Sequence, residues 1–242
     1  MTSPNKRRAL ITGASSGIGK ATALTFAKAG IDVALVSRSL DKLEAVAKTA
    51  QEAGVKAKAY VLDLAEVEQV KAGISAIAQD FAPIDILVNN AGIGYTNTLH
   101  ETPLSDWQHV MNLNLTSVFQ CILGILPTMR NQAGGTIINV ASVAGLQPFP
   151  TWGAYNVSKA GLIALSKTLA QEERPHGIRV VTISPGAVNT PLWDTDTVQI
   201  DLNRTAMLTP EIVAQSILHA ALLPEQAVIE SVTLMPSTGT LD

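Results

Sequence analysis

Tyr155 and Lys159 are four residues apart, and both side chains can take part in proton transfer. On an α-helix this spacing places them on one face, one above the other. A tyrosine phenol has an ordinary pKa of about 10, and a nearby ammonium lowers that pKa because it favours the phenolate. The pair could therefore act as a general acid or base near neutral pH. A half-buried tyrosine beneath a lysine that reaches water has the same spacing, so other residues must decide between catalysis and packing.

The composition is that of a globular protein and does not indicate a strongly charged binding partner. Of the 242 residues, 47% are hydrophobic and 15% are charged, which suits one large α/β domain. The formal net charge of −3, without a block of like charges, argues against nucleic acid or an anionic membrane as the main partner. Cys121 is the only cysteine, which excludes an intrachain disulfide and a cysteine-cluster metal site, and we predict no metal site.

The sequence also predicts a soluble, cytoplasmic protein. Lys6, Arg7 and Arg8 precede only three apolar residues before Thr12, too few for the apolar part of a signal peptide. We expect no stretch that approaches the length of a membrane-spanning helix. A single cysteine suits a reducing compartment.

Short apolar segments recur along the chain and predict the strands of a β-sheet. Most are apolar at every position rather than at alternate positions, as expected for parallel strands that are covered on both faces. The predicted strands are 9–11, 33–36, 59–62, 84–88, 136–140, 179–183 and 231–235.

Longer amphipathic segments lie between these strands and predict helices at 17–29, 41–53, 66–81, 104–130, 155–174 and 210–222. Gly30, Gly54 and Gly177 follow three of them, where a left-handed C-cap is expected. Unbroken alternation of strand and helix predicts a single doubly wound, Rossmann-like domain over 1–242, with a mostly parallel sheet of about seven strands. Ligands of such a sheet bind beyond the carboxyl ends of the strands.

A glycine-rich turn follows the first predicted strand. Gly13, Gly17 and Gly19 allow a tight turn and a close approach of the backbone to a pyrophosphate, while the next helix directs its N-terminal amides at the anion. The spacing G-x-x-x-G-x-G differs from the G-x-G-x-x-G of many dinucleotide folds. Its place after the first strand nevertheless favours nucleotide binding.

The same turn also contains the pattern G-x-S-x-G at 13–17, with Ser15 in the position of a hydrolase nucleophile. In hydrolases this elbow normally follows several strands and an oxyanion loop, whereas here one strand precedes it. The histidines at 100, 109, 176 and 219 lie in no recognisable triad setting. We therefore disfavour serine hydrolysis.

The remaining motifs follow later strands or lie on a helix between two of them. They are Asn-Asn-Ala-Gly at 89–92, Asn114, Ser142, and Pro-Gly at 185–186 with Val188 and Thr190. Together with the glycine turn and the Tyr155/Lys159 pair, they resemble the short-chain dehydrogenase/reductase family over essentially the whole chain.

The resemblance implies a hydride-transfer site with four catalytic residues. Tyr155 would exchange a proton with the substrate oxygen while hydride moves to or from the nicotinamide. Lys159 would lower the tyrosine pKa and hold the nicotinamide ribose. Ser142 would polarise the substrate oxygen, and Asn114 would hold a water in a proton relay. Singly, Ser142 could be a strand-end cap and Asn114 a helix-packing amide.

The end of the second strand bears on the choice of nicotinamide cofactor. NAD sites place a carboxylate there for the ribose 2′-hydroxyl, whereas Ser37 and Arg38 can hold a 2′-phosphate. We therefore expect NADP(H) in preference to NAD(H). Many NADP-preferring relatives add a basic residue in the glycine loop, where this chain has Ser15 and Ser16. The alternative is that Arg38 is only a solvated residue at the start of a helix.

The cofactor-binding residues that the resemblance implies lie after successive strands, with Asp63 and Leu64 at the adenine ring. The full set is Gly13, Ser15, Ser16, Gly17, Ile18, Gly19, Ser37, Arg38, Asp63, Leu64, Asn90, Ala91, Gly92, Tyr155, Lys159, Pro185, Gly186, Val188 and Thr190.

Segments expected to line the substrate pocket are rich in apolar and aromatic side chains. They contribute Tyr95, Leu146, Phe149, Trp152, Leu192 and Trp193. In a chain with only 4% aromatic residues this concentration suggests an apolar or aromatic carbonyl substrate, or else a cover over the core near the opening. Residues 194–208 are expected to form a mobile flap.

The resemblance implies an NADPH-dependent carbonyl reductase, reversible as an alcohol dehydrogenase, that acts on a small ketone, aldehyde or β-keto ester. An alternative is a 3-oxoacyl-[acyl-carrier-protein] reductase, although the C-terminal segment 234–239 lacks the ending common in that branch. A non-catalytic NADP(H)-sensing protein is disfavoured because Tyr155 and Lys159 are both present. We also expect a homo-oligomer, a dimer or tetramer, because the helices at 104–130 and 155–174 are apolar on more than one face.

Overall fold

Seven strands form one parallel sheet in the computed structural model, which describes residues 6–200 and 203–238. The strands are β1 Arg8–Thr12, β2 Asp32–Ser37, β3 Ala57–Val61, β4 Ile86–Asn89, β5 Gly135–Val140, β6 Ile178–Pro185 and β7 Ser231–Leu234. Their order across the sheet is β3-β2-β1-β4-β5-β6-β7. The predicted parallel, doubly wound sheet is confirmed. Residues 201–202 of the predicted flap, and Gly239 in the C-terminal segment, lie outside the described residues.

Helices connect the strands at every crossover. They are α1 Gly17–Lys28, α2 Leu40–Glu52, α3 Val67–Asp80, α4 Leu104–Met111, α5 Ser117–Asn131, α6 Gly153–Glu173 and α7 Pro210–Leu222. One prediction differs in detail, because the helix expected at 104–130 contains a widened π-turn at Asn112–Thr116 that joins α4 to α5. Such turns often lie at functional positions, and Asn114 is at the centre of this one.

The two faces of the sheet carry separate cores, which explains why the strands are apolar at every position. Ala9 and Ile11 of β1 pack on the side of α1, α2 and α7, whereas Leu10 packs on the side of α3, α5 and α6. Successive side chains of a strand point to opposite faces, so a strand that is covered on both sides needs a continuous apolar run.

The direction in which strands are added to the sheet reverses between β1 and β4, so the loops that follow these two strands lie side by side. The chain proceeds from β1 to β2 and β3 in one direction, then returns to add β4 on the other side of β1. Loops at this switch point diverge and leave a crevice at the carboxyl edge of the sheet. The glycine turn after β1 and the loop after β4 therefore flank the same opening.

The segment Leu104–Asn131 is long and apolar enough to cross a membrane by length and composition, with a mean hydropathy of 1.4 in its most apolar window. The expectation that no such stretch exists was therefore wrong. Half of that window is buried inside the protein, where α5 packs against α3. A helix that lies in a core passes the same test of composition.

Candidate active site

The turn after β1 takes a backbone shape that requires glycine. Gly13 and Gly17 have φ angles of 65° and 51°, in the left-handed region that other residues rarely adopt. At Gly19 the constraint is space, because a Cβ there would lie 2.3 Å from the carbonyl oxygen of Gly13. The turn leads directly into the N-terminus of α1, whose first turn has no acidic residue. This is a suitable cradle for a pyrophosphate.

Thr12 and Asn90 fasten this turn to the loop after β4. The Thr12 hydroxyl accepts hydrogen bonds from the backbone N–H of Asn90 at 3.0 Å and of Ala91 at 3.1 Å. The Asn90 side-chain amide donates to the Thr12 carbonyl at 3.1 Å. Asn90 therefore holds the two loops together as well as lining the opening between them.

A cavity of about 630 Å³ extends along the carboxyl edge of the sheet. Nearly all of the predicted cofactor residues line it. These are Gly13, Ser15, Ser16, Gly17, Ile18, Ser37, Arg38, Asp63, Leu64, Asn90, Ala91, Gly92, Tyr155, Lys159, Pro185, Gly186, Val188 and Thr190. Gly19 is not in the lining, because it is buried within the turn.

Tyr155, Lys159 and Ser142 meet where α6 passes the end of β5. Tyr155 and Lys159 lie one turn apart on α6, with the lysine Nζ 5.6 Å from the centre of the tyrosine ring. Lys159 is only 5% exposed, and its ammonium donates to the Val140 carbonyl at 3.0 Å. Ser142 directly precedes a single helical turn, where its hydroxyl accepts from the Ala144 N–H at 3.1 Å. All three side chains line the cavity.

Burial controls the protonation of this pair. It raises the pKa of Tyr155 above its ordinary value, while hydrogen bonding with Ser142 acts in the opposite direction. It lowers the pKa of Lys159 to about 8. Burial thus outweighs any influence that lowers the pKa of Tyr155 in the nucleotide-free protein, and a lowering by Lys159 stays a prediction. The Lys159 ammonium is directed at the Val140 carbonyl, and for Tyr155 the loss of hydration outweighs the opposing hydrogen bond with Ser142.

Asn114 lies beside the site without lining the cavity. It is fully buried, and its Oδ1 accepts from the Ile93 N–H at 2.8 Å. Its Nδ2 donates to the Ile93 carbonyl at 2.9 Å and to the Ser158 hydroxyl at 3.1 Å. Both ends of the amide are thus already engaged, and the side chain joins the π-turn to the loop after β4 and to α6.

Two cations line the cavity beyond the end of β2. Arg38 was predicted, whereas Lys42 was not. Lys42 lies in the first turn of α2, where the helix dipole disfavours a positive charge, and neither cation forms a salt bridge with any of the residues that the structure describes. Ser37 and Ser39 add hydroxyls to the same part of the wall. The only signal in the sequence was the spacing of four residues between Arg38 and Lys42, and the absence of an ion pair is a structural finding.

Aromatic rings surround Tyr155 on the other side of the cavity. The Trp152 ring is 5.2 Å from the ring of Tyr155 and 5.8 Å from that of Trp193, in edge-to-face arrangements. Phe149 and Leu192 line the same cavity. Tyr95 and Leu146 are not in this lining. Tyr95 is buried and donates a hydrogen bond to Asp106 at 3.0 Å, whereas Leu146 is 56% exposed.

The described part of the predicted flap is tied to the loop after β4. The Thr96 N–H donates to the Thr197 carbonyl at 2.8 Å, and the Thr197 hydroxyl donates to the Gly94 carbonyl at 2.8 Å. The Gln199 N–H donates to the Thr96 hydroxyl, also at 2.8 Å. The sequence analysis identified this segment as a flap but did not predict the hydrogen bonds that hold it.

Further lining residues escaped the sequence analysis because they carry no motif. They include Leu62, Met235 and Pro236, whereas Thr195 and Ile200 line the cavity from within the predicted flap. Met235 and Pro236 directly follow β7, so the rule that ligands bind after strand ends was the signal that pointed to them.

Fold and site together define a dinucleotide-binding α/β protein with a tyrosine–lysine pair at the substrate end of its cleft. A family profile described as short chain dehydrogenase matches residues 7–200. The chain therefore belongs to the short-chain dehydrogenase family and is an oxidoreductase.

Relatives and solved structures agree with this assignment. The chain is 39% identical to 3-oxoacyl-[acyl-carrier-protein] reductase FabG of Thermotoga maritima over 220 residues, 88% of this chain and 89% of that protein. L-sorbose reductase from Gluconobacter frateurii, solved with NADPH and L-sorbose, has a TM-score of 0.87 at 33% identity, covering 97% of this chain and 96% of that one. An alcohol dehydrogenase from Thermococcus sibiricus, solved with 5-hydroxy-NADP, has a TM-score of 0.87 at 29% identity, with 96% and 97% covered.

Proposed function

We propose that this oxidoreductase uses NADPH to reduce the carbonyl group of a small ketone, aldehyde or β-keto ester, and that it catalyses the reverse oxidation of the alcohol. The observation that carries the proposal is the convergence of Tyr155, Ser142 and Lys159 on one cavity with the glycine turn. The Tyr155 phenol is protonated near neutral pH, since its ordinary pKa of about 10 already lies above that pH and burial raises the pKa further, so it has a proton to donate to a carbonyl oxygen.

Different residues of the cavity would bind different parts of the cofactor. The glycine turn and the N-terminus of α1 would hold the pyrophosphate, because the unpaired N–H groups at the start of a helix attract an anion. Asp63 and Leu64, after β3, would meet the adenine ring, and the segment from Pro185 to Thr190 would meet the nicotinamide. The Lys159 ammonium would hold the nicotinamide ribose.

The reduction requires a hydride and a proton, and the protein places groups for both. The reduced nicotinamide, when bound, supplies the hydride for the carbonyl carbon. Tyr155 donates its proton to the carbonyl oxygen, and Ser142 donates a hydrogen bond to the same oxygen so that the developing charge is stabilised. Tyr155 then regains a proton from solvent, and the product is the secondary or primary alcohol.

Preference for NADP(H) over NAD(H) follows from the charges beyond β2. Arg38 and Lys42 line this part of the cavity with the hydroxyls of Ser37 and Ser39. No carboxylate follows β2 to meet a ribose 2′-hydroxyl, since Asp41 belongs to α2 and does not line the cavity. Guanidinium and ammonium groups are suited to a 2′-phosphate.

The test is to measure NADPH oxidation with a broad panel of ketones, aldehydes and β-keto esters. Tyr155→Phe should abolish turnover and leave NADPH binding largely intact, because the substitution removes only the proton donor. Turnover by Tyr155→Phe would remove this residue from its role. Failure of the unaltered protein to reduce any carbonyl, despite binding NADPH, would contradict the proposed reaction.

A second candidate is reduction of a 3-oxoacyl group on an acyl carrier protein. It is favoured by the 39% identity to the Thermotoga maritima enzyme of that name. The two candidates are separated by comparing kcat/KM for carrier-bound acetoacetyl groups with kcat/KM for free ketones. A large preference for the carrier-bound substrate would establish the second candidate and displace the first.

We also propose that the protein is a homo-oligomer in the cytoplasm. Apolar side chains on α4, α5 and α6 are open to solvent in the single chain, among them Leu104 at 70%, Phe119 at 42% and Val157 at 44% exposure. Helical faces of this kind are normally covered in an assembly. The reducing cytoplasm suits a chain whose one cysteine, Cys121, is free and buried.

A further inference from the structure

The cavity wall next to Tyr155 is built from aromatic rings that contact one another. Trp152 is the central ring, edge-to-face with Tyr155 on one side and with Trp193 on the other. Trp152 is only 8% exposed, so its position is fixed by packing. A substrate whose carbonyl oxygen reaches the Tyr155 hydroxyl would therefore lie next to this aromatic wall.

The second indole is fixed by hydrogen bonds around it. The Trp193 N–H donates to the Val188 carbonyl at 2.7 Å, so its polar atom is satisfied by the protein and the ring offers an apolar surface to the cavity. Arg204 holds the chain on both sides of this ring, donating to Asn189 Oδ1 at 2.9 Å and to Asp194 Oδ1 at 2.9 Å. Because these rings are already held in place, the protein loses little conformational entropy when a ligand binds against them.

Charge is confined to the cofactor end of the cavity. Among the residues that the structure describes, the charged side chains in the lining are Arg38, Lys42, Asp63 and Lys159. The first three follow β2 and β3, on the far side of β1 from β5 and β6, and Lys159 is directed at the Val140 carbonyl. A carboxylate or phosphate on the substrate would lose its hydration here without gaining a counter-ion, which is costly.

We infer that the substrate is an uncharged ketone that carries a planar aromatic ring next to the carbonyl group, with the ring held by Trp152 and Trp193. The inference rests on the proposed carbonyl reduction and specifies its substrate class. Edge-to-face and stacked ring contacts favour such a ring over an aliphatic chain of similar size.

The experiment compares three ketones of equal carbon number: acetophenone, 2-octanone and benzoylformate. With NADPH, kcat/KM for acetophenone should exceed that for 2-octanone by about three- to tenfold, the range expected for one or two aromatic contacts. Benzoylformate carries the same ring and a carboxylate, and its kcat/KM should be at least about a hundredfold lower than that of acetophenone.

Substitutions at Trp193 show whether the ring preference comes from this wall. Trp193→Leu should reduce the ratio of kcat/KM values for acetophenone and 2-octanone to about one, whereas Trp193→Phe, which keeps a ring, should retain most of it. Trp107 lies on α4 outside the cavity lining, so Trp107→Leu is the matched control and should leave the ratio unchanged.

Two results would overturn the inference while leaving the proposed reaction standing. One is efficient reduction of 2-octanone or benzoylformate with poor reduction of acetophenone. The other is a ring preference that Trp193→Leu and Trp193→Phe both leave unchanged. Absence of turnover with every carbonyl of a broad panel would contradict the proposed reaction itself, and the inference with it.

Discussion

At the residue scale, burial changes the chemistry that the Tyr155/Lys159 spacing suggests. A lysine beside a tyrosine in water would favour the phenolate, but here both groups have lost hydration. The pKa of Tyr155 is raised and that of Lys159 is lowered to about 8. The tyrosine is thus protonated at neutral pH but is a weaker acid than a free phenol, and the buried lysine costs the protein stability whenever it is charged.

The cost of Lys159 predicts a dependence of stability on pH in the nucleotide-free protein. Its pKa is about 8 in the folded protein and 10.5 as the reference value, so the unfolded chain binds more protons between these values and the free energy of unfolding rises with pH. From about pH 7.5 to about pH 9.5 the gain should be about 2 kcal/mol relative to Lys159→Met. Urea denaturation of both proteins at the two pH values measures it. An equal pH dependence of the two would show that Lys159 does not titrate in this range.

Lys42 is predicted to contribute to the choice of cofactor. Lys42→Ala should lower kcat/KM for NADPH by about three- to tenfold and leave kcat/KM for NADH unchanged, because only NADPH carries the 2′-phosphate. Lys48→Ala is the matched control, since Lys48 is exposed on the same helix α2 and does not line the cavity. Equal effects on both cofactors, or an equal effect of Lys48→Ala, would contradict the prediction.

At the scale of the element, helix α6 and the end of β5 supply the reacting groups, and irregular segments fix the loops beside them. The π-turn at Asn112–Thr116 brings Asn114 to the Ile93 backbone, so a departure from regular helix fixes the loop after β4. The segment after β6 is held in a similar way by a single side chain, because Arg204 donates to Asn189, to Asp194 and to the Thr190 carbonyl at 3.0 Å.

Arg204→Ala should loosen the segment that carries Trp193. Three hydrogen bonds are lost at once, so we expect KM for the ketone to rise about fivefold with a smaller change in kcat, and proteases to cut residues 191–200 faster. Arg174→Ala removes an exposed ion pair with Glu230 and is the control for loss of a surface arginine. Unchanged KM and unchanged proteolysis would show that the segment does not depend on Arg204.

At the scale of the whole molecule, helices α4, α5 and α6 carry large apolar side chains that are open to solvent in the single chain. Leu104, Phe119 and Val157 lie on three helices that pack through the same region, since α4 and α6 are in contact and α5 continues α4 through the π-turn. Covering these side chains would remove apolar surface from water and stabilise an assembly.

Light scattering at micromolar concentration should therefore give a mass of at least twice the 25.5 kDa of one chain. Phe119→Glu and Val157→Glu should shift the mass towards the single chain, because a charge on a buried apolar contact is costly. A monomeric mass for the unaltered protein would contradict the proposed assembly. Ile212→Glu, on the exposed surface of α7, is the control and should not change the mass.

The sequence by itself determined the sheet and the positions of the motifs. Continuous apolar runs such as Ala9–Leu10–Ile11 require cover on both faces, and the helical spacing of Tyr155 and Lys159 requires a shared face. These features are local, because they depend on the period of the chain and on what a strand or helix does with each residue. The same reasoning located the glycine turn and Arg38 at strand ends.

Only the tertiary structure decided the properties that depend on contacts between residues far apart in the sequence. Desolvation of Lys159 depends on how α6 packs at the end of β5, and the contact of Trp152 with Trp193 joins residues that belong to different loops. Lys42 lines the cofactor end of the cavity because the start of α2 lies against it. A periodic pattern encodes which face of an element a residue occupies, but not which residues from elsewhere in the chain contact it. Protonation, the packing of aromatic rings and the anchoring of loops all depend on those long-range contacts.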